Sequence, residues 1–330
     1  MSLDLVTGAT GFVGAHVVRA LLARGREVRC LARPASNRAN LEGLSVEVAA
    51  GDVTDAESVE RAVRGCRTVY HCAADYRFDV ADPRSLFATN VEGTGIVIRA
   101  AAEAGAGRIV HTSSVAAVGL AAGSAGANEE TPLDPDTLIS AYKKSKHEAE
   151  RVAFDWAARG APVVIVNPST PVGELDIKPT PTGKMIVDFV NRRIPAYVDT
   201  GLNVVDVRDV AQGHLLAAER GRVGQRYILG NRNMTLKEIL DALGEITGQP
   251  SPRLRLPHFL PLAAARAERA LARLSKRAPG ISLEGVQMSR HRMFFDSSKA
   301  ISELGLPQSP VEGALARAVT WFRANGYVRA

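Results

Sequence analysis

Short apolar runs alternate with amphipathic windows through the first half of the chain, and this alternation predicts its elements. Leu3-Asp4-Leu5-Val6-Thr7 reads as a strand, and Ala15-His16-Val17-Val18-Arg19-Ala20-Leu21-Leu22 carries the period of a helix that Gly25 ends. Further strands are predicted over residues 27–32, 46–49, 68–73 and 108–112, separated by helical windows. That order implies an α/β fold built on a doubly wound parallel sheet. Between the first strand and first helix lies Gly8-Ala9-Thr10-Gly11-Phe12-Val13-Gly14. Glycines so placed permit a tight turn and a close approach of backbone to a pyrophosphate, whose charge the helix N-terminus stabilises. The alternative, a turn that serves only packing, loses ground because the strands and helices around it follow the matching order.

Regularity breaks after residue 170. Pro168, Pro171, Pro179 and Pro181 with Gly173 and Gly183 mark a long loop of the kind that often lies over a ligand. A helix follows at Met185–Val190, then a strand at Asn203–Ala211 entering another helix. Helical windows at Leu236–Thr247, Leu262–Lys276 and Val311–Asn325 complete the chain. The expected organisation is a dinucleotide-binding domain over residues 1–170 and a mainly substrate-binding domain over 171–330, with a segment near 203–220 returning to the first.

Composition narrows the class. With 46% hydrophobic and 23% charged residues, the 330-residue chain reads as an ordinary globular protein. It has no apolar run of membrane-spanning length, and Met1-Ser2-Leu3 leads straight into a strand, so a cytoplasmic location is expected. Cys30, Cys66 and Cys72 lack metal-ligand spacing, and reduced thiols with no metal site are expected. A net charge of +6 and a pI near 9.4 raise nucleic acid as a partner, but the basic residues are dispersed among acids without interleaved aromatics, which argues against it. The window 257–277 holds six basic residues, His258 included, among alanines and leucines. It has the composition of a helix that could lie on an anionic membrane surface, although a solvated helix face is the expectation.

Chemistry concentrates at Tyr142-Lys143-Lys144-Ser145-Lys146, within a helical run from Ser140 to Arg159. A separation of four puts Tyr142 and Lys146 on one helix face. The chain's six tyrosines and eight lysines would produce that spacing roughly 0.15 times by chance. A phenol titrates near pH ~10 and needs help to act as a base at neutrality. An ammonium about 4 Å away would supply up to ~4 kcal/mol toward its ionisation. Thr112-Ser113-Ser114 ends the 108–112 strand at the carboxyl edge of the sheet, where a hydroxyl can polarise a substrate oxygen. The residues alone leave open which of the three does so.

These motifs together resemble the extended short-chain dehydrogenase/reductases, the NAD-dependent epimerase/dehydratase group, over nearly the whole length. The resemblance rests on Gly8-x-x-Gly11-x-x-Gly14, Asp52-Val53, His71-Cys72-Ala73-Ala74, Asn90 in Thr89–Thr94, the serines, and Tyr142-x-x-x-Lys146. It implies a Rossmann-type sheet with a smaller C-terminal substrate-binding domain, and Ser114, Tyr142 and Lys146 as the catalytic triad. It further implies that Gly8, Thr10, Gly11, Phe12, Val13 and Gly14 bind the cofactor pyrophosphate and Asp52 and Val53 contact adenine. Ala73 and Ala74 would line the ribose path, Pro168 and Ser169 would approach the nicotinamide, and Asn90 would support the site. Relatives often form dimers through the helix that carries the tyrosine, so a homodimer is expected. Within the group, residues 167–173, 176–183 and 197–203 are similar to hopanoid-associated sugar epimerases and their dihydroflavonol-reductase relatives.

Two departures refine this. Sugar epimerases commonly end the second strand with an acid for the adenosine ribose, where this chain has Ala32 and Arg33, so NADP is expected ahead of NAD. Thr170 stands where nucleotide-sugar epimerases usually carry an asparagine, which weakens a nucleotide-sugar substrate. The expected activity is hydride transfer at a carbonyl or secondary alcohol of a small molecule or sugar, by a reductase or an epimerase. A non-catalytic NADP-sensing protein is the competing class, and retention of Ser114, Tyr142 and Lys146 argues against it.

Overall fold

A computed structural model, which describes residues 3–77, 82–121, 126–134, 138, 140–275 and 283–328, shows the alternation closing into one parallel sheet of seven strands. From one edge to the other run β3 (Glu47–Ala50), β2 (Glu27–Ala32), β1 (Leu3–Thr7), β4 (Cys66–His71), β5 (Arg108–Thr112), β6 (Val163–Pro168) and β10 (Arg226–Leu229). The helices between them are α1 (Phe12–Ala23), α2 (Ala56–Val63), α3 (Arg84–Phe87), α4 (Gly93–Glu103), α5 (Ala141–Ala158) and α7 (Val207–Arg220). A wide π turn, Ala88–Glu92, joins α3 to α4.

Successive strand residues point to opposite faces, so one sheet feeds two cores. Val6, Val110 and Val164 pack with Val17 and Leu21 of α1 and Leu215 of α7. Leu5, Val69, Ile109 and Ile165 pack with Val97 and Ile98 of α4 and Ala153 of α5. The inner strands are buried on both faces, which is why they read as nearly unbroken apolar runs.

A second assembly follows the loop. The short strands β7 (Thr170–Val172), β11 (Arg232–Thr235) and β13 (Arg292–Met293) pair with β9 (Gly201–Asp206), and β8 (Ala196–Val198) pairs with β12 (Leu254–Leu256). Val172, Val204 and Met234 share a core with α6 (Pro181–Val190), α8 (Leu236–Thr247) and α11 (Val311–Ala324). The helices α9 (Phe259–Ser275) and α10 (Leu283–Met288) lie between β12 and β13 in the chain. Asp206 ends β9 and caps α7, its side chain accepting from the Arg208 amide at 2.9 Å.

Several boundaries differ from the periodicity, and the strand expected over Asn203–Ala211 ends at Asp206, where α7 begins. α6 starts at Pro181 rather than Met185, because the Thr180 hydroxyl caps it, accepting from the Gly183 amide at 3.0 Å, and proline suits the first helical turn. α9 starts at Phe259, ahead of Leu262, while Lys276 and Arg277 of the basic window lie outside the described residues.

Glu174, half-buried in the loop after β7, fastens three helices at once. Its carboxylate takes Arg208 of α7 at 2.7 Å and Arg317 of α11 at 3.2 Å, and stands 3.5 Å from His16 of α1. Despite partial burial, which opposes ionisation, bonds from His16 and Arg208 hold this carboxyl well below the usual range. A depressed carboxylate stabilises the fold above its unfolded pKa of 4.5, and that stability is lost as pH falls toward the folded value. Glu174→Gln should therefore cost about 2 kcal/mol at pH 7, with the deficit shrinking as pH drops below 4.5. Urea midpoints of the two proteins across that range check this.

Candidate active site

The glycine turn is built by steric necessity. Gly8 sits at φ +68°, and a Cβ there would lie 2.6 Å from the Ala73 nitrogen. At Gly14 a Cβ would lie 2.3 Å from the Gly8 carbonyl oxygen. The turn thus packs backbone against backbone, with the end of β4 on one side and the first turn of α1 on the other. Gly11 caps α1 without any side-chain bond, and the first turn carries no acid. Its amides are left to face an anion, the environment that a dinucleotide pyrophosphate fits.

A line of buried hydrogen bonds leads from this turn to α5. The Ala73 amide donates to Thr7 Oγ1 at 3.2 Å, and Thr7 Oγ1 lies 2.8 Å from His71 Nδ1. His71 Nε2 lies 3.0 Å from Thr94 Oγ1, whose hydroxyl donates to the Asn90 carbonyl at 2.6 Å. Each hydroxyl has one proton, so these donors assign His71 as the neutral Nε2–H tautomer. Burial pushes its pKa down to about 3, which agrees. Asn90 Nδ2 donates to Ser145 Oγ at 2.9 Å, and Ser145 Oγ donates to the Tyr142 carbonyl at 2.8 Å. Asn90 also grips the backbone of Asp75 in both directions, at 2.7 and 2.8 Å, holding the segment that carries Ala73 and Ala74.

Ser114, Tyr142 and Lys146 meet at the carboxyl end of β5. The Ser114 side chain faces the Tyr142 phenol and pulls its pKa down, and Ser114 Oγ accepts from the Ala116 amide at 3.1 Å. Thr112 Oγ1 turns away to His214 at 2.9 Å, and Ser113 Oγ is buried without a partner among the described residues. Of the three hydroxyls left open by the sequence, Ser114 is the one that faces the tyrosine. Lys146 is buried and donates to the Thr112 carbonyl at 2.8 Å.

One expectation needs correction here. Proximity to Lys146 was to lower the phenol's pKa, yet burial raises it, with the Ser114 side chain pulling partly back. Burial also brings Lys146 itself down to about 8, against the opposing pull of Glu150. Spacing along a helix gives adjacency, whereas desolvation governs the charge of both groups. The ammonium donates to the Thr112 carbonyl, and burial keeps the phenol protonated.

The other residues implied by sequence fall around this centre. Asn167 Nδ2 bonds the Ser114 carbonyl at 3.0 Å and Glu150 at 2.5 Å, which sets Pro168 and Ser169 beside the catalytic strand end. The Ser169 hydroxyl is buried and finds no partner among the described residues. Val53 is buried against Gly93, and Asp52 holds its own turn by accepting from the Thr54 amide at 3.0 Å. Arg33 is 68% exposed at the end of β2, with the Asp52 carboxylate 4.0 Å away, an acid that the reading of β2 alone does not include. Thr10 is joined to the C-terminal half through Asn40, whose Nδ2 donates to the Thr10 carbonyl at 3.2 Å and the Leu175 carbonyl at 3.1 Å. Asn40 escapes sequence reasoning, since it stands in a connecting segment without a motif. No cluster of metal-ligating side chains occurs among the described residues.

The model of the NAD dependent epimerase/dehydratase family matches residues 5–230. The chain belongs to that family. A Synechocystis protein that carries the name dihydroflavonol 4-reductase is 47% identical over 98% of this chain and 95% of its own length. Sterol demethylase protein B of Methylococcus capsulatus is 39% identical over 98% of this chain and 99% of its own. The crystal structure of a nucleoside-diphosphate-sugar epimerase from Pseudomonas aeruginosa superposes with a TM-score of 0.82 at 31% identity, covering 99% of each chain. An NAD(P)-dependent epimerase, dehydratase or reductase of the extended short-chain type is thereby established in class.

In this family member the loop that meets Asn40 carries a second buried acid. Asp176 accepts the Thr180 amide and hydroxyl, both at 2.8 Å, on one oxygen, while its other oxygen is buried with no partner among the described residues. Burial raises this carboxyl from 3.8 to about 6 in spite of those bonds. The sign is opposite to that of Glu174: a raised carboxyl stabilises the fold below its unfolded pKa, and the stability is lost as pH rises to about 6. Two pKa units correspond to ~3 kcal/mol. Asp176→Asn should flatten the stability profile between pH 4 and 7 by about that amount. Thermal midpoints that keep the wild-type slope would refute the assignment.

Proposed function

We propose that this chain is an NADP-linked oxidoreductase that moves a hydride between the nicotinamide ring and a carbonyl or secondary alcohol carbon. The observation that carries the reading is the convergence of Ser114, Tyr142 and Lys146 where β5 ends, with Asn90 and His71 linking that end to the strand that leads into the glycine turn. When bound, the cofactor supplies the hydride chemistry that no side chain can. In the reductive direction Tyr142 Oη gives its proton to the substrate oxygen, and in the oxidative direction it takes that proton back. A phenol kept protonated by burial suits the donor role. Ser114 Oγ holds the same oxygen, and Lys146 fixes the cofactor ribose and offsets the charge left on the phenolate.

Reductase chemistry is favoured over epimerisation by Thr170, which lacks the amide that a nucleotide diphosphate would meet, and by the reductase name of the Synechocystis relative. The C-terminal segments around α6, α8 and α11 would hold the substrate, and NADP is preferred because the exposed Arg33 can pair with a ribose phosphate. Ser169 and the free amides of α1 support the same placement of the dinucleotide.

Tyr142→Phe should lower turnover by about 10²–10⁴-fold, the range of general acid catalysis, while dissociation constants for NADP and NADPH stay within about two-fold. Consumption of NADPH at 340 nm in step with substrate marks a reductase; inversion of a stereocentre with no net absorbance change marks an epimerase. Full turnover by the phenylalanine variant would overturn the catalytic assignment. Arg33→Ser should weaken NADPH about 10-fold or more and leave NADH nearly unaffected, because one charge-assisted pair is lost. Equal losses for both cofactors would remove Arg33 from phosphate recognition.

A further inference from the structure

The first turns of α9 present apolar side chains to solvent. Phe259, Leu260, Ala263, Ala264 and Ala267 are all exposed, and at 3.6 residues per turn they fall within a roughly 140° arc of the helix. Ala265 is buried on the opposite side, and Leu262 and Glu268 are half-buried. Phe259 is 66% exposed and Leu260 43%, and five residues upstream Leu254 of β12 is 60% exposed. The other large hydrophobics exposed among the described residues, Val48, Tyr76, Val223 and Ile301, are isolated in the chain. A solvated polar face, the ordinary reading of this window, would place these residues the other way round.

Arg266 lies at the edge of this arc, and two further arginines flank Leu254 in the chain. Arg253, Arg255 and Arg266 are exposed, and Arg253 and Arg266 form no ion pair among the described residues. The nearby Asp199 is already shared between Arg255 and Arg292, at 2.8 Å each. An apolar helix face with an arginine at its edge that is unpaired among the described residues, and further exposed arginines just upstream in the chain, matches a layer that is apolar inside and anionic at its surface. A second copy of the chain, meeting this face about a two-fold axis, would bring arginines against arginines.

We propose that the start of α9, together with Leu254, is a docking surface for an anionic phospholipid bilayer. The face lies flat in the headgroup region and does not span the layer; no helix among the described residues is long and apolar enough to do so. This surface stands apart from the oxidoreductase reading and holds whether or not that reading survives.

Flotation of the full chain with vesicles provides the test. Vesicles of phosphatidylcholine with one-third phosphatidylglycerol should retain about 5-fold more protein at low salt than phosphatidylcholine alone, and high salt should release it. Phe259→Ser combined with Leu260→Ser should reduce retention about 10-fold. These side chains are already in solvent, so circular dichroism and the unfolding midpoint should match wild type. Arg253→Glu with Arg266→Glu should abolish the preference for phosphatidylglycerol while leaving oligomeric state unchanged. Absence of binding to anionic vesicles at low salt overturns the proposal, as does unchanged binding by the serine variant. A serine variant that dissociates a larger species of the free protein in sedimentation velocity would assign the face to a second copy instead.

Discussion

The neutrality of one buried imidazole fixes the geometry of the whole site. His71 can accept from Thr7 and donate to Thr94 at once only while it carries a single proton, and burial keeps it so. Through that ring the strand leading into the glycine turn is tied to the π turn at Asn90, and through Asn90 and Ser145 to the backbone of Tyr142. Every member of the line is a short polar side chain with its partner at hydrogen-bond distance in a dry interior, where an unmade bond would cost about 1–3 kcal/mol. Cradle and tyrosine therefore keep one distance, set by β1, β4 and α5 rather than by any ligand.

The charges around that line follow the same economy of partners. Lys146 is buried with a carbonyl rather than a carboxylate as its direct acceptor, while Glu150, one turn further along α5, is satisfied by Asn167 and Arg226 at 2.5 and 2.8 Å. A direct Lys146–Glu150 pair would neutralise the ammonium locally and draw it away from the cleft. With Glu150 held by Asn167 and Arg226, Lys146 keeps the Thr112 carbonyl as its direct acceptor, and the carboxylate opposes the downward pull of burial on the ammonium. His111, packed 5.4 Å from His71 with both ring nitrogens unpartnered among the described residues, is kept neutral by burial and by Lys146.

Local signals carried much of this arrangement into the sequence. Five of the sheet's seven strands are marked by apolar runs, while β6 and β10 are not among the predicted strands, and the glycine spacing marks the turn because only a residue without Cβ fits there. Tyr142 and Lys146 are visible for the reason that four residues make about one helical turn. Asn40, Glu174 and Asp176 are not visible, since their roles depend on contacts across the chain: Asn40 meets Leu175 over 135 positions, and Glu174 meets Arg317 over 143. The protonation of Tyr142 is likewise hidden, because the period of a helix says which groups are neighbours and nothing about how much water surrounds them. β7 escaped as well, being three residues long with a proline at its centre, paired in parallel to β9. In α9 composition leaves a solvated face as the expectation, and only the packing shows that apolar side chains of its first turns look outward.

Glu174 and Asp176 show how strongly such packing can act over two residues. Both are carboxylates of one loop, partly or wholly withdrawn from water, and their proton affinities move in opposite directions. Glu174 is met by the side chains of three helices, which favour its charge. Asp176 is met by one amide and one hydroxyl, too little to offset its desolvation. The loop is accordingly clamped to α1, α7 and α11 at one point by ion pairs that neutral pH strengthens, and held two residues later by a carboxyl that neutral pH weakens. Leu175 lies between the two at φ +70°, with its carbonyl on Asn40, and Asn40 also holds the carbonyl of Thr10 in the glycine turn. The glycine turn and the loop that leads into α6 are thus joined through Asn40 and a single residue in the left-handed region, between an acid whose charge is favoured and one whose charge is not.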